Sequence, residues 1–93
     1  MKIIWTKDAA QDRADIWDYL HAVNPKAAID MDNRFSNALS RLAKYPEIGP
    51  AGIISGTREL TPHQSYRIVY EQGLDAIWIL ALVHTSRQWP PGR

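Results

Sequence analysis

The sequence predicts an α+β fold in which a helical hairpin packs on one face of a mainly antiparallel sheet. Two amphipathic segments lie between residues 6 and 45, and three runs typical of strands follow them. Only a few residues separate those runs, so neighbouring strands are expected to pair antiparallel. With a short β-type run at Lys2–Trp5, the predicted order is β-α-α-β-β-β within a single domain of residues 1–93.

The first helix is predicted to begin after Thr6, which suits an N-cap, with Asp8 in the first turn. Its apolar positions recur at helical spacing, namely Ala10, Ala14, Trp17 and Leu20. Three aspartates fall mostly on the other side, namely Asp12, Asp15 and Asp18. We interpret them as a solvated helix face, and the alternative is a surface that repels nucleic acid.

The second helix is predicted to begin at Asn24-Pro25, because Asn suits the N-cap and Pro suits the first helical position. Its apolar positions alternate at spacings of three and four residues, namely Ala28, Met31, Phe35, Ala38, Leu42 and Tyr45. The helix is expected to end before Pro46. Only a few residues separate the two helices, which indicates an antiparallel hairpin.

A Pro- and Gly-rich loop at residues 46–56 carries Glu47 and no lysine. The three predicted strands follow it, at Thr57–Thr61, Tyr66–Glu71 and Ala76–His84. Residues 62–65 and 72–75 are expected to form the turns between them. The last strand is apolar until its final His84, which is typical of a strand buried on both faces.

The last strand is expected to present apolar side chains to both faces of the sheet. Strict alternation places Ile77, Ile79, Ala81 and Val83 on one face of the sheet. It places Trp78, Leu80 and Leu82 on the other face. Two helices cover one face only. The second face is therefore expected to be covered either by loops or by a partner protein.

Composition is that of an ordinary folded domain, with 45% hydrophobic and 23% charged residues. The absence of cysteine excludes disulfides and thiolate metal sites. Lys7 and Asp8 interrupt the first apolar run too early for a signal peptide, and no run approaches the ~20 apolar residues of a membrane span. We therefore expect a cytoplasmic protein. Its net charge of +1 is too small to predict tight nucleic-acid binding.

The strands carry two arginines that could do chemistry. Alternation puts Arg67 opposite the row of Tyr66 and Tyr70, and an arginine inside a sheet is costly unless it is paired. One interpretation is an ion pair with Glu59, Glu71 or Glu47. The other is a fixed guanidinium that grips phosphate or stabilises developing charge. Arg58 allows the same two interpretations and is expected to be more exposed.

His84, at the end of the last strand, is either structural or a general acid or base. Glu47 is either an exposed loop residue or a carboxylate base, and Trp89 either anchors the tail or stacks on a base. Arg87 is a further candidate contact for phosphate or target. The three histidines show no ligand spacing, so zinc is not expected, and no cofactor motif is present.

The whole chain resembles the RelE/ParE superfamily of bacterial type II toxins. Six segments in family order carry the resemblance: Trp5 with the first helix, residues 24–28, residues 42–49, residues 56–60, Tyr66–Tyr70, and His84–Pro90. The resemblance implies a toxin neutralised by a cognate antitoxin, with operator DNA contacted only through that antitoxin. The antitoxin is expected to bury part of the apolar second face, with contacts at Tyr66, Tyr70, Trp78 and Leu80.

The resemblance leaves the target open between two branches. The Gly-Thr-Arg-Glu-Leu and His-x-x-Arg-x-Trp-Pro motifs are similar to the ParE or plasmid-stabilisation branch, whose members poison DNA gyrase. Glu47, Arg67 and His84 resemble the catalytic set of nucleases that cut mRNA on the ribosome. Thr85 stands where that set has an aromatic residue, and the loop lacks the basic lysines of those enzymes. A gyrase inhibitor is favoured, and an inactive homologue that only binds antitoxin is the third alternative.

Overall fold

The computed structural model describes residues 1–92. Its elements in chain order are β1 (Lys2–Trp5), α1 (Lys7–Val23), α2 (Pro25–Lys44), β2 (Arg58–His63), β3 (Tyr66–Gln72) and β4 (Ala76–His84). The predicted order and the α+β class are confirmed. β2 ends two residues later than predicted and includes Pro62. The sheet tolerates this proline because β2 is an outer strand.

Side chains cap the N-terminal ends of both helices, as the sequence predicted. The Thr6 hydroxyl accepts a hydrogen bond from the Ala9 amide at 3.2 Å and donates to the Ile79 carbonyl at 2.7 Å. It therefore caps α1 and ties that helix to β4. Asn24 ends α1, where its backbone N–H donates to the Leu20 carbonyl at 2.7 Å. It also begins α2, because its side chain accepts from the Lys26 amide at 3.0 Å.

The sheet has the strand order β1-β4-β3-β2. β1 pairs with β4 in parallel, and the other two pairs are antiparallel, so the sheet is mixed. β1 ends opposite Ile79, whereas β4 continues to His84. The first turns of α1 lie beside this free part of β4, where the Asp12 carboxylate accepts a hydrogen bond from the Leu82 amide at 3.0 Å.

The main core lies between the helices and one face of the sheet. The α2 side chains in it are Phe35, Ala38, Leu39 and Leu42, and the sheet contributes Tyr66, Ile68, Tyr70, Ile77, Ile79 and Leu82. The predicted stripe of α2 is confirmed except at Tyr45, which is 63% exposed. In α1 the prediction was wrong, because Ala9 and Ile16 contact the core while Ala10 and Ala14 are exposed.

A β-bulge changes the faces of β4. Val69 lies opposite Ala81 and Tyr70 lies opposite Ile79, so Leu80 has no partner on β3. One extra residue reverses the alternation beyond it. Leu82 therefore joins Ile77 and Ile79 on the helix face. The prediction that Ala81 and Val83 share the face of Ile77 and Ile79 was wrong.

The C-terminal tail covers part of the second face of the sheet. Val69, Ala81 and Val83 form a small buried cluster there, and Trp89 packs against it. The sequence predicted that either loops or a partner protein would cover this face. For this cluster the cover is the chain's own tail. Trp78, farther along β4, remains 43% exposed. Neither helix in residues 1–92 combines the length and the apolar character needed to cross a bilayer.

Candidate functional site

Arg67 forms an ion pair on the second face of the sheet. Its guanidinium lies 3.0 Å from the Glu59 carboxylate, and the side chains are 22% and 14% exposed. The other oxygen of Glu59 accepts from the Ile53 amide at 3.1 Å. Arg67 is therefore ion-paired, and its partner is Glu59, one of the three carboxylates that the sequence suggested. The pair also fixes the loop at Ile53.

Arg58 lies on the other face from Arg67. It is opposite Tyr70 in the β2–β3 register, and its Nη1 donates to the carbonyls of Gly49 at 2.8 Å and Glu47 at 3.3 Å. Arg58 therefore holds the loop that follows α2. The Glu47 side chain itself is exposed in that loop.

Tyr70 holds the same loop from inside the core. Its hydroxyl accepts from the Gly49 amide at 3.0 Å and donates to the Pro46 carbonyl at 2.8 Å. Burial raises the pKa of Tyr70 above its ordinary value, although the Gly49 amide opposes this shift. A Cβ on residue 49 would lie only 2.7 Å from the Tyr70 hydroxyl oxygen, so glycine is needed there for close approach.

His84 lies at the other end of the sheet. Its ring contacts Tyr66 edge-on with centroids 5.1 Å apart, and its Nδ1 accepts from the Ser86 amide at 3.0 Å. This hydrogen bond assigns the proton of the neutral imidazole to Nε2. The Ser86 hydroxyl also lies 2.7 Å from Nδ1. His84 is thus oriented by the turn that follows β4.

The three predicted catalytic residues do not converge. Glu47 follows Pro46, whose carbonyl accepts from Tyr70, whereas His84 is beside Tyr66. Tyr66 and Tyr70 are four residues apart on β3, which corresponds to about 13 Å. Arg67 projects from the opposite face of the same strand. Of the candidate cations, only His84 and Arg87 line one common cleft, whereas Arg58 and Arg67 lie elsewhere.

That cleft, which we call the His84 cleft, has a volume of about 560 Å³ and lies between α1 and the tail. Arg87 lines it, and the Arg87 amide donates to the His84 carbonyl at 2.9 Å. Asp12 and Asp15 line the α1 side of the cleft. The sequence had predicted a solvated face for both aspartates. Asp12 is instead half-buried beside the free part of β4, where it accepts from the Leu82 amide.

Burial raises the pKa of Asp12 above its ordinary value. The Leu82 amide and the charge of Arg87 oppose the shift, and the charges of Asp15 and Asp8 add to it. Burial likewise raises the pKa of Tyr66, which lines the same cleft. Within residues 1–92 no group of three or more His, Asp or Glu side chains could hold a metal ion.

Trp89 lies in the tail against the second-face cluster, which is an anchoring position. Its indole Nε1–H is buried and has no hydrogen-bond partner in the described part of the chain. Of the predicted antitoxin contacts, Tyr66 and Tyr70 are only 6% and 0% exposed, so they offer a partner little surface. Trp78 and Leu80 retain exposed surface, and their antitoxin role stays a prediction.

Comparison with known proteins identifies relatives along almost the whole chain. The family model described as "ParE toxin of type II toxin-antitoxin system, parDE" matches residues 3–89. "Putative toxin Y4kP" of Sinorhizobium fredii is 36% identical over 90 residues, which cover 96% of this chain and 93% of that protein. "Toxin RelE2" of Caulobacter vibrioides is 33% identical over 86 residues, covering 92% and 97%.

A solved structure titled "Chromosomal ParDE TA system from P. aeruginosa" has the same fold. It matches with a TM-score of 0.78, and the aligned part covers 90% of this chain and 95% of that one. At 22% identity this likeness concerns the fold alone. Family membership rests instead on the family model and on the two relatives. The chain belongs to the ParE toxin family of type II toxin–antitoxin systems.

Proposed function

We propose that this protein arrests bacterial growth by poisoning DNA gyrase and that a cognate antitoxin neutralises it. The observation that carries the gyrase target is the dispersal of Glu47, Arg67 and His84. A nuclease needs its acid, base and phosphate-binding groups within hydrogen-bond reach of one scissile bond. Here Glu47 and His84 lie beside Tyr70 and Tyr66, which are about 13 Å apart along β3, and Arg67 lies on another face.

The pairing of Arg67 also supports this proposal. A guanidinium that stabilises a transition state must reach the substrate phosphate, but the Arg67 charge is already matched by Glu59 at 3.0 Å. In a gyrase inhibitor the pair has a structural role. It fixes the sheet and the loop at Ile53, and toxicity then depends on surface contacts rather than on proton transfer.

The alternative is a ribosome-dependent mRNA endonuclease, and one feature favours it. His84 and Arg87 line the same cleft, and the hydrogen bond from Ser86 directs the His84 proton to Nε2. In that case His84 would act as general acid and Arg87 would hold the phosphate. Arg67 and Glu47 would then take no part in the chemistry.

The first experiment follows methionine and thymidine incorporation just after the toxin is expressed without its antitoxin. Gyrase poisoning should lower thymidine incorporation first, and mRNA cleavage should lower methionine incorporation first. Purified toxin should stabilise covalent gyrase–DNA complexes in the first case. An early fall in methionine incorporation with intact gyrase activity would overturn the proposal, and normal growth would indicate an inactive homologue.

A variant lacking the ion pair separates the two mechanisms further. In R67M/E59Q no charge is left unpaired, and the Gln side chain can still accept from the Ile53 amide. A gyrase inhibitor should keep its toxicity in this variant. A nuclease that uses Arg67 should lose about two to three orders of magnitude in activity, on the scale of a lost transition-state contact of about 3–4 kcal/mol.

A further inference from the structure

The exposed side of α2 carries a row of positive charges. Arg34, Arg41 and Lys44 are all exposed, and α2 contains no acidic residue after Asp32. At about 100° of rotation per residue, the three cations lie within an arc of about 80° of the helix surface. They extend over about 15 Å of the helix axis, from Arg34 to Lys44. We call this surface the α2 basic stripe.

The charges of the stripe have no acidic partner within residues 1–92. Both aspartates of α2 do have cationic partners, since Asp30 lies 2.9 Å from Lys26 and Asp32 lies 2.7 Å from Arg13. None of the three stripe cations, by contrast, lies within ion-pair distance of a carboxylate in this part of the chain. The C-terminal half of α2 therefore presents three unpaired positive charges to solvent.

The helix dipole accounts for only part of the stripe. Arg41 and Lys44 lie in the last turn of α2, where a positive charge stabilises the helix. Arg34 lies in the middle of α2, outside the turn to which this effect is confined. Asn37 is exposed within the same arc, and its side-chain amide is a further hydrogen-bond donor. The stripe is therefore suited to binding an extended anion.

The spacing of the stripe matches duplex DNA. Arg34 and Arg41 are separated by about 10 Å along the helix axis. The major groove of B-DNA is about 12 Å wide and admits an α-helix. A helix that crosses this groove can place Arg34 against the phosphates of one strand and Arg41 and Lys44 against those of the other.

We propose that the α2 basic stripe binds the phosphate backbone of duplex DNA without reading its sequence. Three phosphate contacts give weak binding, towards the 10⁻⁴ M end of the range of about 10⁻⁴–10⁻⁶ M for non-specific complexes. The small net charge of +1 does not prevent this, because the local concentration of charge determines the contact. The exposed aspartates of α1 repel phosphates, which favours an approach through α2.

This inference goes beyond the proposed function, because binding of DNA by α2 requires no contact with gyrase. It also has a consequence for gyrase poisoning. A toxin bound to gyrase would meet the DNA held by that enzyme at a high effective concentration. A contact that is weak in free solution would then suffice to hold α2 against this DNA.

Fluorescence anisotropy with a short labelled DNA duplex measures the binding at salt concentrations between about 50 and 200 mM. With three phosphate contacts, log K should fall against log salt with a slope of about −2.7, so Kd should rise about 40-fold over this range. The variant R34Q/R41Q/K44Q should raise Kd at least about tenfold at the lower salt concentration and bring the slope close to zero.

K2Q/K7Q/R87Q is the matched control, because it changes the net charge equally at exposed cations outside the stripe. Lys2 alternates with Ile3 and Trp5, which pack against the main core, so Lys2 points to the other face of the sheet. This control should change Kd by less than about threefold. Equal losses in the two triple variants would show that net charge or the His84 cleft binds the DNA, and would overturn the inference.

Two further variants separate a lost contact from a damaged helix. R34Q alone leaves the last turn of α2 intact and should reduce the salt slope by about 0.9. R34K/R41K keeps both positive charges and should bind DNA within about threefold of the natural chain. An unchanged slope in R34Q would contradict the assignment of Arg34 as a phosphate contact.

A duplex RNA of the same sequence tests the choice of DNA. Its major groove is deep and narrow, so the RNA should bind at least about threefold more weakly. Equal or tighter binding of RNA would overturn that choice. If R34Q/R41Q/K44Q lost affinity for antitoxin but not for DNA, the stripe would be a protein-binding surface and the inference would be wrong. The proposed poisoning of gyrase is measured separately, by covalent gyrase–DNA complexes, and would stand in either case.

Discussion

Asp12 shows how tertiary structure changes the chemistry of one side chain. In α1 it occupies a position that periodicity assigns to the solvated face, yet its carboxylate is half-buried and accepts from the Leu82 amide. Burial dominates, so the pKa of Asp12 lies above its ordinary value despite this hydrogen bond. The folded state therefore holds a proton on Asp12 more tightly than the unfolded state does.

This gives a stability prediction for D12N. Below pH ~4 Asp12 is protonated in both states, and its contribution to folding is complete. As pH rises from there towards the raised pKa, the folded protein loses stability because only the unfolded state releases the proton readily. D12N, which can still accept from Leu82, should therefore have a higher Tm than the natural chain at pH 7 and the same Tm near pH 3. A lower Tm at pH 7 would contradict this account.

The Arg67–Glu59 pair is a second residue-scale case. R67M alone leaves the Glu59 carboxylate without its cation at 14% exposure, and it should cost about 3 kcal/mol, the low end for a buried pair. R67M/E59Q should cost less than the sum of the two single changes, with a coupling of at least about 1 kcal/mol in urea unfolding. The exposed Lys26–Asp30 pair is the control, and its K26M/D30N cycle should give about 0.5 kcal/mol or less.

Among the elements, the loop of residues 46–56 has more definite structure than its composition suggests. Tyr70, Arg58 and Glu59 each donate to or accept from its backbone, and Ala51 forms a single bridge with Arg58. The loop is therefore held against β2 although it has no helix or strand of its own. It presents Ile53 and Ile54 to solvent, at 55% and 38% exposure.

Tyr70→Phe should loosen this loop. The substitution leaves the Gly49 amide and the Pro46 carbonyl without their partner, at a cost of about 1–3 kcal/mol. The natural protein should also lose stability above pH ~10, because burial raises the pKa of Tyr70 and only the unfolded state ionises readily. Part of that loss should be missing in Y70F. Urea unfolding at pH 8 and pH 11 measures both effects, and Y45F, at an exposed tyrosine, should behave as the natural chain does.

On the scale of the whole molecule, the tail completes the fold. Trp89 covers the cluster of Val69, Ala81 and Val83, on the face that the helices do not reach. It also lines the His84 cleft, between α1 and the tail. The same side chain therefore covers the sheet and shapes the His84 cleft.

Substitution of Trp89 separates its ring from its N–H. W89A should cost about 3 kcal/mol, the low end for an aromatic-to-alanine change, and should increase binding of a hydrophobic dye. W89F keeps most of the packing and removes a buried donor that has no acceptor within residues 1–92, so it should cost less than about 1 kcal/mol. Equal losses in the two variants would show that the indole N–H has a partner in solution.

Local patterns in the sequence determined the element order, the helix caps at Thr6 and Asn24, the stripe of α2 and the bounds of β4. These features depend on nearby residues and on side-chain periodicity, which a sequence displays directly. The alternation that places Arg67 opposite Tyr66 and Tyr70 is likewise local. Glu59 was one of the three carboxylates that the sequence offered as partners for Arg67.

Only the tertiary structure decided the strand order, the parallel pairing of β1 with β4 and the bulge at Leu80. Each depends on contacts between residues far apart in the chain. A bulge, in particular, is defined only by how one strand pairs with the neighbouring strand. The same long-range contacts bury Asp12, fold Trp89 over the second face and separate Glu47 from His84. A motif can therefore identify the family of this toxin, but distance and burial determine what its side chains can do.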